Sequence, residues 1–161
     1  MKQYKVGMYA GAFNPLHNGH VHCIQEALDV CEEVYVVLCA TTHDEIQAGI
    51  RKEWIEEEFK ENPHVHVVIQ EEDIIDKSLY DWSKAGLEVK EKIGVPISVL
   101  FMGLEYKGKP TVFKQIFKES QLYFFDRTII PISSTMIRED YETYKAYLPL
   151  SVLNYFENKR K

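Results

Sequence analysis

Residues 34–40, Val-Tyr-Val-Val-Leu-Cys-Ala, form an unbroken apolar run rich in β-branched side chains. A strand with one wet face would alternate apolar and polar residues, so this one must be covered on both faces. Such burial belongs to a central strand of a parallel sheet with helices on either side. The rest of the chain falls into step with it. Residues 4–9 read as a first strand with Val6 and Met8 apolar, 65–69 as a third, 97–101 as a fourth and 122–125 as a fifth. Helical spacing appears at 21–30 (Ile24, Ala27, Leu28 and Cys31 in one stripe), 50–60 (Trp54, Ile55, Phe59), 79–93 (Trp82, Leu87, Val89, Ile93) and 112–117. A helix starts over 133–138, and a last one covers 148–156. Residues 71–78 read as an acidic loop. Strands alternating with helices predict an α/β fold with a parallel sheet.

With 161 residues the chain suits a single domain spanning 1–161. The net charge of −6 argues against a general nucleic-acid-binding surface, while leaving room for a nucleotide held by a local cluster of positive groups. No run is long and apolar enough to span a membrane. The N-terminus enters the first strand at once, without a signal-peptide pattern. Cys23, Cys31 and Cys39 are odd in number and read as buried thiols, which places the chain in a reducing cytoplasm. His64 and His66 alternate near the start of the third strand, and His22 and His43 have no evident partners, so no metal site is expected. Residues 103–109 nearly spell a phosphate-binding P-loop, but Pro110 supplies neither a hydroxyl nor an N–H at the next position.

The chemistry concentrates in Gly11-Ala12-Phe13-Asn14-Pro15-Leu16-His17-Asn18-Gly19-His20. This stretch lies between the first strand and the first helix, where open α/β sheets bind ligands. Gly11 allows close backbone approach, Asn18 is the expected helix N-cap, and Gly19 and His20 begin the helix. The exposed N–H groups and helix dipole favour a phosphate, at which His17 and His20 can both point. A second cluster, Ile132-Ser133-Ser134-Thr135-Met136-Ile137-Arg138, has hydroxyls to cap a helix and bind phosphate oxygens. Arg138 follows one turn later with a planar donor fork.

The first stretch, G-x-F-x-P-x-H-x-G-H, resembles the first signature of the nucleotidylyltransferase superfamily, and I-S-S-T-x-x-R resembles the second. Those enzymes join a nucleoside triphosphate to a phosphorylated small molecule and release pyrophosphate. The resemblance implies a Rossmann-like α/β/α sandwich with five parallel strands in the order 3-2-1-4-5, an order that periodicity alone cannot give. It implies in-line attack of a substrate phosphate on the α-phosphorus without a protein nucleophile. In that scheme His17 and His20 donate to the triphosphate. Ser133, Ser134, Thr135 and Arg138 hold its β,γ end, Gly11, Ala12, Phe13 and Gly19 contribute backbone, and Gly103 and Glu105 approach the base or ribose. Magnesium is expected with the triphosphate, carried by phosphates and waters and by no protein metal site.

Within the superfamily the chain most resembles the nicotinamide-mononucleotide adenylyltransferase domain of bifunctional NAD-biosynthesis proteins. The two motifs, Asp126-Arg127 ahead of the second, and the ending Tyr147-Leu148-Pro149 with Val152 and Tyr155-Phe156 carry this likeness. It implies ATP and a phosphorylated small-molecule acceptor as partners, with Trp82 stacking on nicotinamide and Arg51 and Asn14 facing the acceptor; Trp54 is read as core. Two relatives offer alternatives. Residues 101–109 and 127–133 resemble segments of glycerol-phosphate cytidylyltransferases, with Glu105 and Tyr106 where that family has Asp and Trp. Pantetheine-phosphate adenylyltransferase has a similar length, but its first motif usually lacks the first histidine. A catalytically silent nucleotide-binding module is the reading from another class, and intact His17, His20 and Arg138 argue against it. A homo-oligomer is compatible with the sequence, which does not fix the oligomeric state.

Overall fold

The computed structural model describes residues 2–75, 82–109 and 111–160. Five parallel strands form one sheet in the order β3-β2-β1-β4-β5. They are β1 (Tyr4–Gly11), β2 (Cys31–Thr41), β3 (Val65–Glu72), β4 (Val99–Gly103) and β5 (Gln121–Phe125). The helices are α1 (Asn18–Val30), α2 (Ala48–Glu58), α3 (Trp82–Ile93), α4 (Val112–Ile116), α5 (Ser134–Glu139), α6 (Tyr141–Tyr144) and α7 (Leu150–Lys159). The predicted Rossmann-like sandwich and its strand order are both present.

Period-2 alternation sends side chains from each strand into two separate cores. Tyr9, Val34, Val36, Leu38, Val99 and Phe101 pack with Ile24 and Ala27 of α1, Trp54 and Ile55 of α2, and Val152 of α7. Val6, Met8, Val37 and Leu100 face the other way, onto Val89 and Ile93 of α3 and Phe117 just after α4. Both faces of β2 are buried, as its composition requires. Trp54 is core, edge-on to Tyr155.

Several boundaries differ from the sequence reading. β1 continues two residues further, to Gly11, and β3 takes in Glu71 and Glu72, which pair with Ala40 and Thr41 at the end of β2. Cys31 begins β2 and is not part of the helical stripe. Residues 79–81 of the expected third helix lie outside the described residues. Within α3 the buried positions are Ala85, Gly86, Val89 and Ile93; Leu87 is 59% exposed. Leu87 sits about 100° around the helix from Gly86, off the stripe. Gly86 lies so close to Ile116 that α3 packs on α4 through a position without a side chain. Short α6, capped by Asp140 accepting from Thr143 N–H, is an element that the sequence pattern does not predict.

Strand order places the topological switch between β1 and β4, whose following loops leave in opposite directions and open a crevice at the carboxyl edge. Gly7 holds β1 flush against its neighbours: a Cβ there would lie 2.5 Å from the Phe101 ring and 2.7 Å from the Cys31 sulfur. Gly7→Ala should therefore cost about 1–3 kcal/mol of unfolding free energy, measured by urea denaturation. An unchanged midpoint would mean that the β1–β4 contact can relax.

Candidate active site

α1 opens on a reciprocal cap made by two histidines. His17, not Asn18, is the N-cap. His17 Nδ1 accepts from the His20 N–H at 3.3 Å, and His20 Nδ1 accepts from the His17 N–H at 3.2 Å. The imidazoles stack with centroids 3.6 Å apart and planes 14° from parallel. This is a capping box in which imidazoles replace the usual hydroxyl and carboxylate. Sequence reasoning assigned the cap to Asn18 because histidine is not among the common capping residues. Gly19 allows the stack: a Cβ there would meet His17 Cε1 at 2.9 Å.

The cap decides the chemistry of both rings. With each Nδ1 accepting from a main-chain N–H, a neutral ring carries its proton on Nε2. Both rings are held neutral. Burial, then the Arg127 charge, lowers His17 to about 4. Burial, then His17 and Arg127, pushes His20 well below its ordinary value. The two histidines are thus paired Nε2–H donors, suited to an anion and not to proton uptake.

Phe13 supports the pair from beneath. It adopts φ +51°, a left-handed conformation that costs a non-glycine residue about 1–2 kcal/mol. Its ring is 1% exposed and edge-on to both His20 and Tyr9, which offsets that cost. Burial raises the Tyr9 hydroxyl far above its normal range and, acting first among several causes, raises Cys23 to about 11, so Cys23 is a protonated thiol and not a nucleophile.

Two cavities meet at Tyr9, His20 and Arg127. The larger, about 610 Å³, is lined by His17, His20, Gly19, Glu105, Ser133 and Ser134 among others. The smaller, about 370 Å³, lies towards α4 and is lined by Gly11, Ala12, Met8, Met102, Tyr106 and Phe113. Arg127, the second residue after β5, borders both and pairs with Glu105 through Nε at 3.3 Å. Gly103 makes room for that ion pair, since a Cβ there would overlap both side chains. Arg127 was not among the predicted site residues; its position at the carboxyl end of a strand was the available signal.

The second motif joins the first through the loop after β1. Ser133 caps α5, its Oγ accepting from Met136 N–H at 3.1 Å. Ser134 Oγ donates to the Pro15 carbonyl at 2.9 Å. Arg138 donates to the Asn14 carbonyl and to Thr135 Oγ1. Arg138 and Asn14 line a separate cavity of about 430 Å³ with Lys159 and Arg160, not the one bordered by the histidines. Arg51 departs from its predicted place facing the acceptor. It is fully buried, with Nη1 on the Ala12 carbonyl at 2.9 Å and Nη2 on Asp44 at 2.8 Å. Trp82 stands half-buried at the start of α3 and is not among the residues lining these cavities.

The remaining histidines do not assemble a centre. His64 and His66 both approach Glu33, at 3.0 and 3.4 Å, and His43 pairs with Asp73 at 2.8 Å. Among the described residues no three metal-ligating side chains are grouped, and no helix is long and apolar enough to cross a membrane.

Comparison with known proteins agrees with this architecture. Residues 8–140 match the family described as cytidylyltransferase-like, and the chain belongs to that family, within the nucleotidyltransferase superfamily. Phosphopantetheine adenylyltransferase of Francisella tularensis subsp. novicida (strain U112) is 37% identical over 67 residues, 40% of this chain and 41% of that protein. The same protein of Francisella tularensis subsp. tularensis (strain SCHU S4 / Schu 4) matches equally. The match thus spans about two fifths of those relatives' length. A solved NadR protein in complex with NR superposes with a TM-score of 0.68 at 24% identity, covering 91% of this chain and 44% of that one. NadR in complex with NAD and AMP-PNP gives 0.66 at 24%, covering 91% and 46%. These likenesses establish the fold.

The neutral state of the histidines has a measurable consequence. With a folded value of about 4 and an ordinary value of 6.5, His17 takes up its proton more readily in the unfolded chain. Its stabilising contribution is complete above pH 6.5, falls as the pH drops, and is gone below about 4. The loss should reach about 2–3 kcal/mol between pH 7.5 and 4.5. In His17→Asn, which keeps a capping acceptor, urea titrations should show that much less acid sensitivity. Identical slopes for both proteins would refute the neutral, desolvated imidazole.

Proposed function

We propose that this member of the cytidylyltransferase-like family transfers a nucleotidyl group from a nucleoside triphosphate to the phosphate of a small-molecule acceptor. The observation that carries the proposal is the pair of pre-aimed Nε2–H donors in a cavity shared with Arg127. An acceptor phosphate oxygen attacks the α-phosphorus. The bond from that phosphorus to the bridging oxygen breaks, and its electron pair leaves on diphosphate. The attacking group is already anionic, so no protein base or nucleophile is needed. Catalysis is positioning plus stabilisation of charge on the equatorial oxygens, the work of rigid hydrogen-bond donors. Neutral donors suit this task because they neither surrender a proton to phosphate nor trap the product as a charged pair.

Magnesium is expected to arrive with the triphosphate and to neutralise part of its charge. The carboxylates that border the larger cavity, Glu105 and Asp126, are engaged by Arg127 and Thr128. That arrangement fits an ion carried by phosphates and water, with no preformed protein cage.

The finer reading is adenylyl transfer from ATP to nicotinamide mononucleotide, giving NAD and pyrophosphate. It is supported by the smaller cavity, where Tyr106 and Phe113 border a space that a flat ring would fill beside His20. A second reading, transfer to phosphopantetheine, is favoured by the 37% identity to phosphopantetheine adenylyltransferase over 67 residues. The test is pyrophosphate release with magnesium, crossing ATP and CTP against nicotinamide mononucleotide, phosphopantetheine and glycerol 3-phosphate. Turnover is expected with ATP and nicotinamide mononucleotide. Preference for phosphopantetheine or for CTP would replace the finer reading. Nucleotide binding without turnover on any acceptor would replace the transfer itself with a silent binding module. In the productive pair, His17→Asn should lower kcat by about 10²–10³-fold while leaving nucleotide affinity within a few-fold.

A further inference from the structure

Arg51 is the largest fully buried side chain among the described residues, with no exposed surface, and it lies beneath the loop that follows β1. Placing a guanidinium there is costly, and an apolar side chain of similar volume would serve a core at least as well. The arrangement is not tuned for stability either: Arg51 Nε has no hydrogen-bond partner among the described residues. What a guanidinium supplies that an apolar residue cannot is a rigid fork with two directions. One arm holds Asp44 at 2.8 Å and the other holds the Ala12 carbonyl at 2.9 Å. Asp44 is itself fixed, accepting from Thr41 N–H at 2.9 Å and Thr41 Oγ1 at 3.1 Å, so the fork is anchored to the end of β2.

The carbonyl of Ala12 and the N–H of Phe13 belong to one peptide plane. In a trans peptide they point in opposite directions. Drawing the carbonyl towards α2 turns the N–H away from α2. Ala12 borders the smaller cavity, which His20 and Arg127 also border. Phe13 is the residue held at φ +51°, so this peptide has an orientation that a relaxed loop would not keep.

We propose that Asp44 and Arg51 are positioning residues that grip the Ala12 carbonyl and thereby present the Phe13 N–H as a third donor to the phosphate bound beside His20. The inference deepens the nucleotidyl-transfer reading and rests on it. Neither residue touches the substrate; both act through one main-chain amide.

The test uses 15N-labelled full-length protein, wild type and Arg51→Lys, with Asp44→Asn as a second, milder variant should Arg51→Lys not fold. ATP with magnesium is the probe, and the Phe13 amide resonance is the first readout. It should shift on ATP addition in the wild type and shift much less in the variant. The second readout is the split between kcat and nucleotide Kd. A folded variant should lose about 10–100-fold in kcat, the scale for weakening one oxyanion donor, while Kd changes less than about threefold. A Phe13 amide that fails to respond in the wild type, or responds equally in a folded variant, would overturn the proposal. So would a folded variant with wild-type kcat. If the wild type turns over no acceptor, the transfer reading fails separately, and the amide response still decides whether the pair orients this donor.

Discussion

Two imidazoles that each accept a hydrogen bond from the other's main chain set the character of this protein's crevice. A histidine is ordinarily the side chain poised to change charge near neutral pH. Here that freedom is withdrawn. Protonating either Nδ1 would remove an acceptor from the first turn of α1, expose two N–H groups without partners, and set a cation in a buried stack. The rings are thereby kept as neutral donors, and the helix is kept capped, by the same pair of contacts. Gly19 and Phe13 follow from this requirement: one leaves room for the stack and the other carries it on a buried aromatic edge.

A donor array is useful only if the loop bearing it is stiff. The loop after β1 is tied through three of its carbonyls. Arg51 holds Ala12, Arg138 holds Asn14 and Ser134 holds Pro15. The second motif, nearly 120 residues away in sequence, is therefore part of the scaffold of the first. Helix α5 approaches the crevice from one flank, and Arg127 after β5 closes the gap between its two cavities. The switch between β1 and β4 makes this convergence possible, because loops leaving in opposite directions give ligand access to the sheet edge.

The sheet was legible because β2 has no polar face, and strands with that property admit few architectures. The histidines were legible because their spacing lies on a strand-to-helix turn. What escaped the sequence has physical reasons. Histidine as an N-cap is uncommon, so Asn18 seemed the natural choice. Arg51 at a helix start looked like a ligand contact, because nothing in a sequence says that a charged residue will be buried against a carbonyl. Leu87 reads as core from its apolar character, but its angle around the helix takes it off the stripe, while the true contact position, Gly86, has no side chain to announce it. Arg127 is marked in the sequence only by its place just after a strand, and its part in the site follows once two cavities are seen to share it.

The central claim is that His17 and His20 are neutral, with their protons on Nε2. The most direct measurement is 15N and 1H NMR of the imidazole nitrogens in ligand-free protein, followed from pH 7.5 downwards. The account predicts that at pH 7 both rings show a protonated Nε2 and an unprotonated Nδ1, and that His17 keeps this form until the pH approaches 4. Either ring found protonated on Nδ1, or titrating near 6.5 as an exposed histidine does, would contradict it.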